Sequence, residues 1–239
     1  MRKQIMSFLL LAFLGSVTTY AAEPIIKNLG ESRYSVQVGN VLMTIDAAAG
    51  AKILSCKYND SEIISQSPVR EAFGSTFWTS PQKEWNWPPV QEYDKDPYTV
   101  EQTSSSLIMT GQVSQRFKYR IRKEFKADEK DNAIVITYSI INESEETRKV
   151  APWEVTRVNN EGIIFFDAPS EAITPANRIP FTQEYGVSWY KTDEGKTNRK
   201  INADGKGWLA YCANNLLLVK KFDDLTASQP APKEAEIQV

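Results

Sequence analysis

"FKYRIRKEFKADEKDNAIVITYSIINES", residues 117–144, consists of two alternating runs around a charged turn. In "FKYRIRKEF" the charges alternate with apolar residues, and "NAIVITYSIINES" repeats the two-residue period. That period is the mark of a strand with one buried and one wet face. "KADEKDN" between them is a polar hairpin turn to which no metal is assigned. The basic residues of the first run belong to the wet face of a strand, so they do not read as a nucleic-acid patch.

The same texture extends in both directions. "RYSVQVG" and "NVLMTIDAA" form a hairpin, followed by "AKILSCKYNDSEII"; "YTVEQTSSSLIMTGQV" precedes the opening stretch. "RKVAPWEVTRV", "GIIFFDA", "GVSWYKT", "GKGWLAYCA" and "NNLLLVKKF" come after it. Residues 65–97 and 169–186 read as irregular, and no amphipathic helix of normal length is evident. Short strands with turn signals between them predict an all-β protein, a large antiparallel two-sheet sandwich. The final "EAEIQV" reads as a strand with no partner downstream, either an edge strand or the end of a fragment.

Residues 1–22 read as a signal peptide. Arg2 and Lys3 precede the apolar "MSFLLLAFLGSV" and the small residues of "TTYAA". The run is short for a membrane span, so residues 23–239 are expected as a single sandwich domain, exported to a bacterial periplasm or beyond, with no membrane attachment once the leader is removed. Losing Arg2 and Lys3 reduces 28 basic residues to 26 against 30 acidic ones, a net charge of −4. Nothing in that balance favours nucleic acid. The chain contains no histidine. This rules out Ser-His-Asp triads, Cys-His pairs and the common zinc sites, leaving carboxylates, Tyr, Lys or water for any acid–base chemistry. Neither a cofactor nor a metal is expected. Cys56 and Cys212 read equally well as a disulfide or as two free thiols.

Two motifs carry the functional expectation. "GSTFWTSPQKEWNWPPV", residues 74–90, places Trp78, Trp85 and Trp87 among prolines and polar residues. Indole faces can cover the C–H face of a sugar ring, and the polar side chains, Gln82 among them, can supply directional hydrogen bonds. Alternatively, these rings cap the core. In "APWEVTRV", residues 151–158, alternation puts Trp153, Val155 and Arg157 on one face and Glu154, Thr156 and Val158 on the other. Glu154 is the candidate acid/base and Arg157 the polarising cation, and they become neighbours only if a bulge intervenes. The plain alternative is a buried ion pair with Trp153 in the core. "EYDKD", residues 92–96, lacks a calcium-loop pattern and reads as a solvated turn.

The order of "NVLMTIDAAAGAKILSCKYNDSEII" and "RKEFKADEKDNAIVITYSIINESEETRKVAPWEV" resembles galactose mutarotase-like (aldose 1-epimerase-like) domains. Together, "FWTSPQKEWNWPPV" and "APWEVTRV" resemble an exported bacterial branch of that superfamily known only as a domain of unknown function. The resemblance spans most of residues 40–239. It implies a supersandwich that binds a mono- or oligosaccharide on its concave face. Aldose epimerases of that fold use histidines and a late carboxylate; the histidines are missing here, and Glu234 and Glu236 are the nearest candidates for the carboxylate. Three readings follow: a saccharide binder without histidine-dependent mutarotase chemistry, a histidine-free epimerase, lyase or hydrolase using Glu154, and a non-catalytic protein-interaction sandwich. The sequence fixes neither the sugar nor the oligomeric state.

Overall fold

The computed structural model describes residues 24–69, 72–192, 199–226 and 228–239; the leader lies outside them. The expectation of an all-β sandwich is met. In chain order the strands are β1 (Ile25–Gly30), β2 (Arg33–Val38), β3 (Val41–Asp46), β4 (Lys52–Tyr58), β5 (Ser61–Glu62), β6 (Ser75–Ser80), β7 (Thr99–Gln102), β8 (Ser106–Thr110), β9 (Tyr119–Asp128) and β10 (Ala133–Asn142). They continue with β11 (Ala151–Thr156), β12 (Ile163–Phe166), β13 (Ile173–Thr174), β14 (Thr182–Glu184), β15 (Val187–Lys191), β16 (Asn202–Ala203), β17 (Trp208–Ala213), β18 (Leu216–Lys221) and β19 (Ile237–Gln238). A short α-helix, α1 (Gln91–Asp94), lies between β6 and β7.

Hydrogen bonding divides these strands among four antiparallel sheets. They run β1-β2-β3-β4-β6-β11 with β5 on β4, β10-β9-β8-β7, β14-β15-β12-β17-β18, and β13-β16-β19. β9 and β10 pair without a break over ten residues, and the Asp128 carboxylate accepts the Lys130 and Asp131 amides in their turn. The first core lies between the first two sheets, with Val36, Ile45, Phe77, Met109, Ile121 and Phe125 at its centre. Phe77 stacks on Tyr138 at 4.6 Å and so ties β6 to β10. A second core gathers Phe166, Ile173, Tyr190, Ile201 and Ile237 from the last two sheets. Leu218 of β18 packs against the first core, joining the five-stranded sheet to it.

Alternation on β9 sets Tyr119, Ile121, Phe125 and Ala127 inward, and Lys123 with them. Lys123 is 2% exposed, and its ammonium donates to the carbonyls of Gly50 (2.7 Å) and Ala51 (3.2 Å). The rings of Tyr98 and Tyr138 lie 5.6 and 6.0 Å away. Burial pulls its pKa down to about 7, against a smaller opposing pull from Asp94.

The segment read as irregular contains a strand. β6, "STFWTS", is buried at five of its six positions, so a core residue on one side alternates with a covered residue on the other. Strands buried on both faces lose the period-two signal. β6 meets β4 only at Ile53–Ser75 and then diverges, with α1 packing beside it. Gly50, at φ +63°, allows α1 to approach: a Cβ there would lie 2.6 Å from the Asp94 carbonyl carbon and the Tyr93 oxygen. In the terminal "EAEIQV", β19 is an edge strand of its sheet and pairs with β16 upstream. Cys56 and Cys212 lie on different sheets as free thiols; burial raises the Cys56 pKa to about 11.

Candidate functional site

β6 and β11 form an unbroken antiparallel pair, with Trp153 opposite Trp78, Glu154 opposite Phe77 and Thr156 opposite Ser75. Because side chains alternate, the pair presents two chemically different faces. On one, the Trp78 and Trp153 rings meet edge to face at 5.4 Å. The loop after β6 turns back over this face. Trp85 lies 5.9 Å from both rings and Trp87 lies 6.0 Å from Trp78. All four tryptophans singled out in the sequence therefore form one cluster, but their exposure differs. Trp78 and Trp85 are buried at 8% and 5%, Trp153 is partly open, and Trp87 is 65% exposed.

The buried pair has its indole N–H groups satisfied within the protein. Trp78 donates to the Asp94 carboxylate at 2.7 Å and Trp85 to the Thr79 carbonyl at 2.8 Å. Two cations flank the rings: the Arg157 guanidinium lies 5.9 Å from the Trp78 centroid, and the Lys200 ammonium 4.8 Å from that of Trp153. Arg157 also donates to the Thr76 hydroxyl at 3.3 Å. Burial lowers the Lys200 pKa, with Glu234 acting in the opposite direction. Glu234 secures the base of the loop, accepting the Ser80 hydroxyl and, at 2.7 Å, the Gln82 backbone amide. The Gln82 side chain donates to the Asn86 carbonyl at 3.4 Å, bracing the loop from inside.

Glu154 lies on the opposite face, turned toward the first core. Its carboxylate accepts the Ser75 hydroxyl and the Thr156 hydroxyl (2.7 Å) and pairs with Lys220 of β18. Both side chains of the pair are mostly covered, at 28% exposure for Lys220 and 21% for Glu154. Burial pulls the Lys220 ammonium down to about 7, while the adjacent carboxylate favours its charged form. No bulge interrupts β11, so Glu154 and Arg157 do not converge as an acid/base and polariser around one substrate. The partner of Glu154 across the sheets is Lys220. The rings and Glu154 lie on opposite faces of the β6–β11 pair. An open hollow beside the loop is lined by Glu84, Phe117, Arg148 and Lys149, and another by Pro169, Ala172, Asp204 and Leu225 among others; neither includes a tryptophan. Among the described residues no three His, Cys, Asp or Glu side chains are grouped to hold a metal ion.

Sequence reasoning did not place Asp94, Lys200 or Glu234 at this cluster. Glu234 reaches Ser80 across 154 positions of chain, a separation over which no local pattern operates. Trp78 and Trp153 announced themselves only by residue type.

The fold and site define an all-β sandwich bearing a surface aromatic cluster flanked by cations. No family model and no curated protein matches the chain. Among solved structures it is similar to the 4-alpha-glucanotransferase from Thermococcus litoralis, at 13% identity over 62% of this chain and with a TM-score of 0.36. The likeness spans 27% of that enzyme's chain, and at this distance it carries no functional argument.

Proposed function

We propose that this is an exported saccharide-binding protein, a single mutarotase-like sandwich domain from residue 23 onward that lacks histidine-dependent mutarotase chemistry. Trp87 and Trp153 form the contact platform, with Trp78 and Trp85 as its buried backing. Arg157 and Lys200 supply donors at its margins, and Gln82 and Glu234 hold the loop in place. The observation that carries the reading is the 65% exposure of Trp87 against a cluster otherwise anchored in the protein. An exposed indole held by other rings loses little freedom when a ligand covers it. Export is supported by the charged start and apolar run of residues 1–22.

A glycan array followed by calorimetry tests this. The expected result is at least one mono- or oligosaccharide hit that weakens roughly tenfold on Trp87→Ala, about 1.4 kcal/mol. A blank across neutral and acidic saccharides refutes it and leaves the tryptophans as a protein-contact surface. Following a bound sugar by NMR separates binding from turnover; Glu154 is no candidate catalyst at this face.

A further inference from the structure

The charges around the tryptophan cluster are arranged unlike those on the sheets. Lys200 holds its ammonium 4.8 Å from the Trp153 centroid, and among the described residues that ammonium has no ion pair and no hydrogen bond. Glu234 is close enough to act on its charge. Yet one Glu234 oxygen accepts the Ser80 hydroxyl and the other the Gln82 amide. Asp94, the second carboxylate on this side, accepts the Trp78 indole. Carboxylates here are satisfied by neutral donors, whereas on the sheets they meet cations, as Glu124 meets Arg122 and Glu154 meets Lys220. An indole face attracts an ammonium but gives its three N–H donors no lone pair to point at.

The position suits a ligand lying on Trp87. Ring contacts run from Trp87 to Trp78 at 6.0 Å and on to Trp153 at 5.4 Å. Arg157 lies beside the first of these partners and Lys200 beside the second. Glu84, the loop's own acidic residue, lines a hollow with Phe117, Arg148 and Lys149 that includes no tryptophan. An oligosaccharide that covers the exposed indole and follows the rings therefore runs toward cations. We infer that the platform takes anionic saccharides: a sugar ring covers Trp87, and a carboxylate or sulfate substituent further along the chain pairs with the Lys200 ammonium. This rests on the saccharide-binding reading and assigns its ligand class. Burial has already removed part of the ammonium's water, which lowers its pKa, so an incoming anion gains a charge-assisted contact with less desolvation still to overcome. Lysine meets the anion as a point charge, without the planar fork that matches a carboxylate, so the shared chemistry is the negative substituent.

The test compares uronate-bearing oligosaccharides, sulfated ones, and the neutral counterparts made from them by carboxyl reduction or desulfation, on one array with calorimetry on the hits. Acidic members are expected to bind, and each neutral counterpart to bind about tenfold more weakly or worse. Lys200→Met is expected to close most of that gap and Lys200→Arg to preserve it. Raising NaCl from about 50 to 500 mM narrows the gap in the unmodified protein, and this series carries the test if Lys200→Met does not fold. The uronate and sulfate arms identify which anion the site takes. Equal binding of acidic and neutral members, a gap indifferent to salt, or an acidic preference untouched by Lys200→Met would each overturn the inference. A hit lost on Trp87→Ala would in those cases leave saccharide binding standing, whereas a blank throughout removes both.

Discussion

Replacing Lys123 by Met examines the buried amine in the first core. The ammonium has two carbonyl acceptors and two tyrosine rings, and no carboxylate touches it. Its pKa of about 7 lies below the ordinary 10.5, so the unfolded chain binds this proton more tightly than the native one. Stability from this group is therefore fully present above pH 10.5 and is lost as pH falls toward 7, a span worth roughly 5 kcal/mol. Between pH 7 and 9.5 the native protein recovers about 3 kcal/mol of it. Lys123→Met also leaves the Gly50 and Ala51 carbonyls without this donor, at about 1–3 kcal/mol each. The variant's absolute stability thus mixes two opposing effects, while its slope with pH does not. Urea unfolding followed by tryptophan fluorescence at pH 7, 8 and 9.5 gives that slope. Lys220 rises over the same window, whereas Cys56 and the buried Tyr93, Tyr98 and Tyr138, whose pKa values are raised, pull the other way at its upper end. All of these are common to both proteins and cancel in the difference. A variant that gains as much stability with pH as the parent would refute the argument.

Trp85→Ala, at a 5% exposed position, is expected to cost about 3–5 kcal/mol in urea unfolding, whereas Trp87→Ala should cost under about 1. Gly50→Ala forces a Cβ into the Tyr93 and Asp94 backbone at φ +63°. A loss of at least about 2 kcal/mol is expected, with a weaker Trp78–Asp94 contact visible as altered tryptophan fluorescence. Glu154→Gln leaves Lys220 without its carboxylate. Allowing for the pair's partial exposure, a loss of about 1–3 kcal/mol is expected, and a double-mutant cycle with Lys220→Met should show coupling of similar size.

What could be read in advance followed the reach of the signal. The β9–β10 hairpin was legible because each strand has one wet face and the turn is local. β6 was not, because helix α1, the returning loop and the first core cover it on both sides, and its pattern collapses to a run of buried residues. Lys123 sits in the apolar series of β9 and looks like a phase error in the alternation; only the Gly50 turn, 73 positions away, explains it. The two short strands near the C-terminus could not be paired from text, since β16 and β19 meet across more than thirty residues.

The opposition of Trp153 and Glu154 has a consequence for the chemistry of this chain. Two neighbouring residues of one continuous strand must serve different faces, and here both faces are occupied: one by rings, the other by Ser75, Thr156 and Lys220. Moving Glu154 to the ring side would require a one-residue slip of β11. That slip would bury Trp153 in the first core and turn the carboxylate away from Lys220. The register is pinned from both sides by the Trp78–Trp153 contact and the Glu154–Lys220 pair. On the ring side lie the carboxylates of Asp94 and Glu234, with the Lys200 ammonium over Trp153. Asp94 already accepts the Trp78 indole, and both oxygens of Glu234 already accept donors from the loop. Carboxylates committed in this way hold the tryptophan loop and the buried indoles in place.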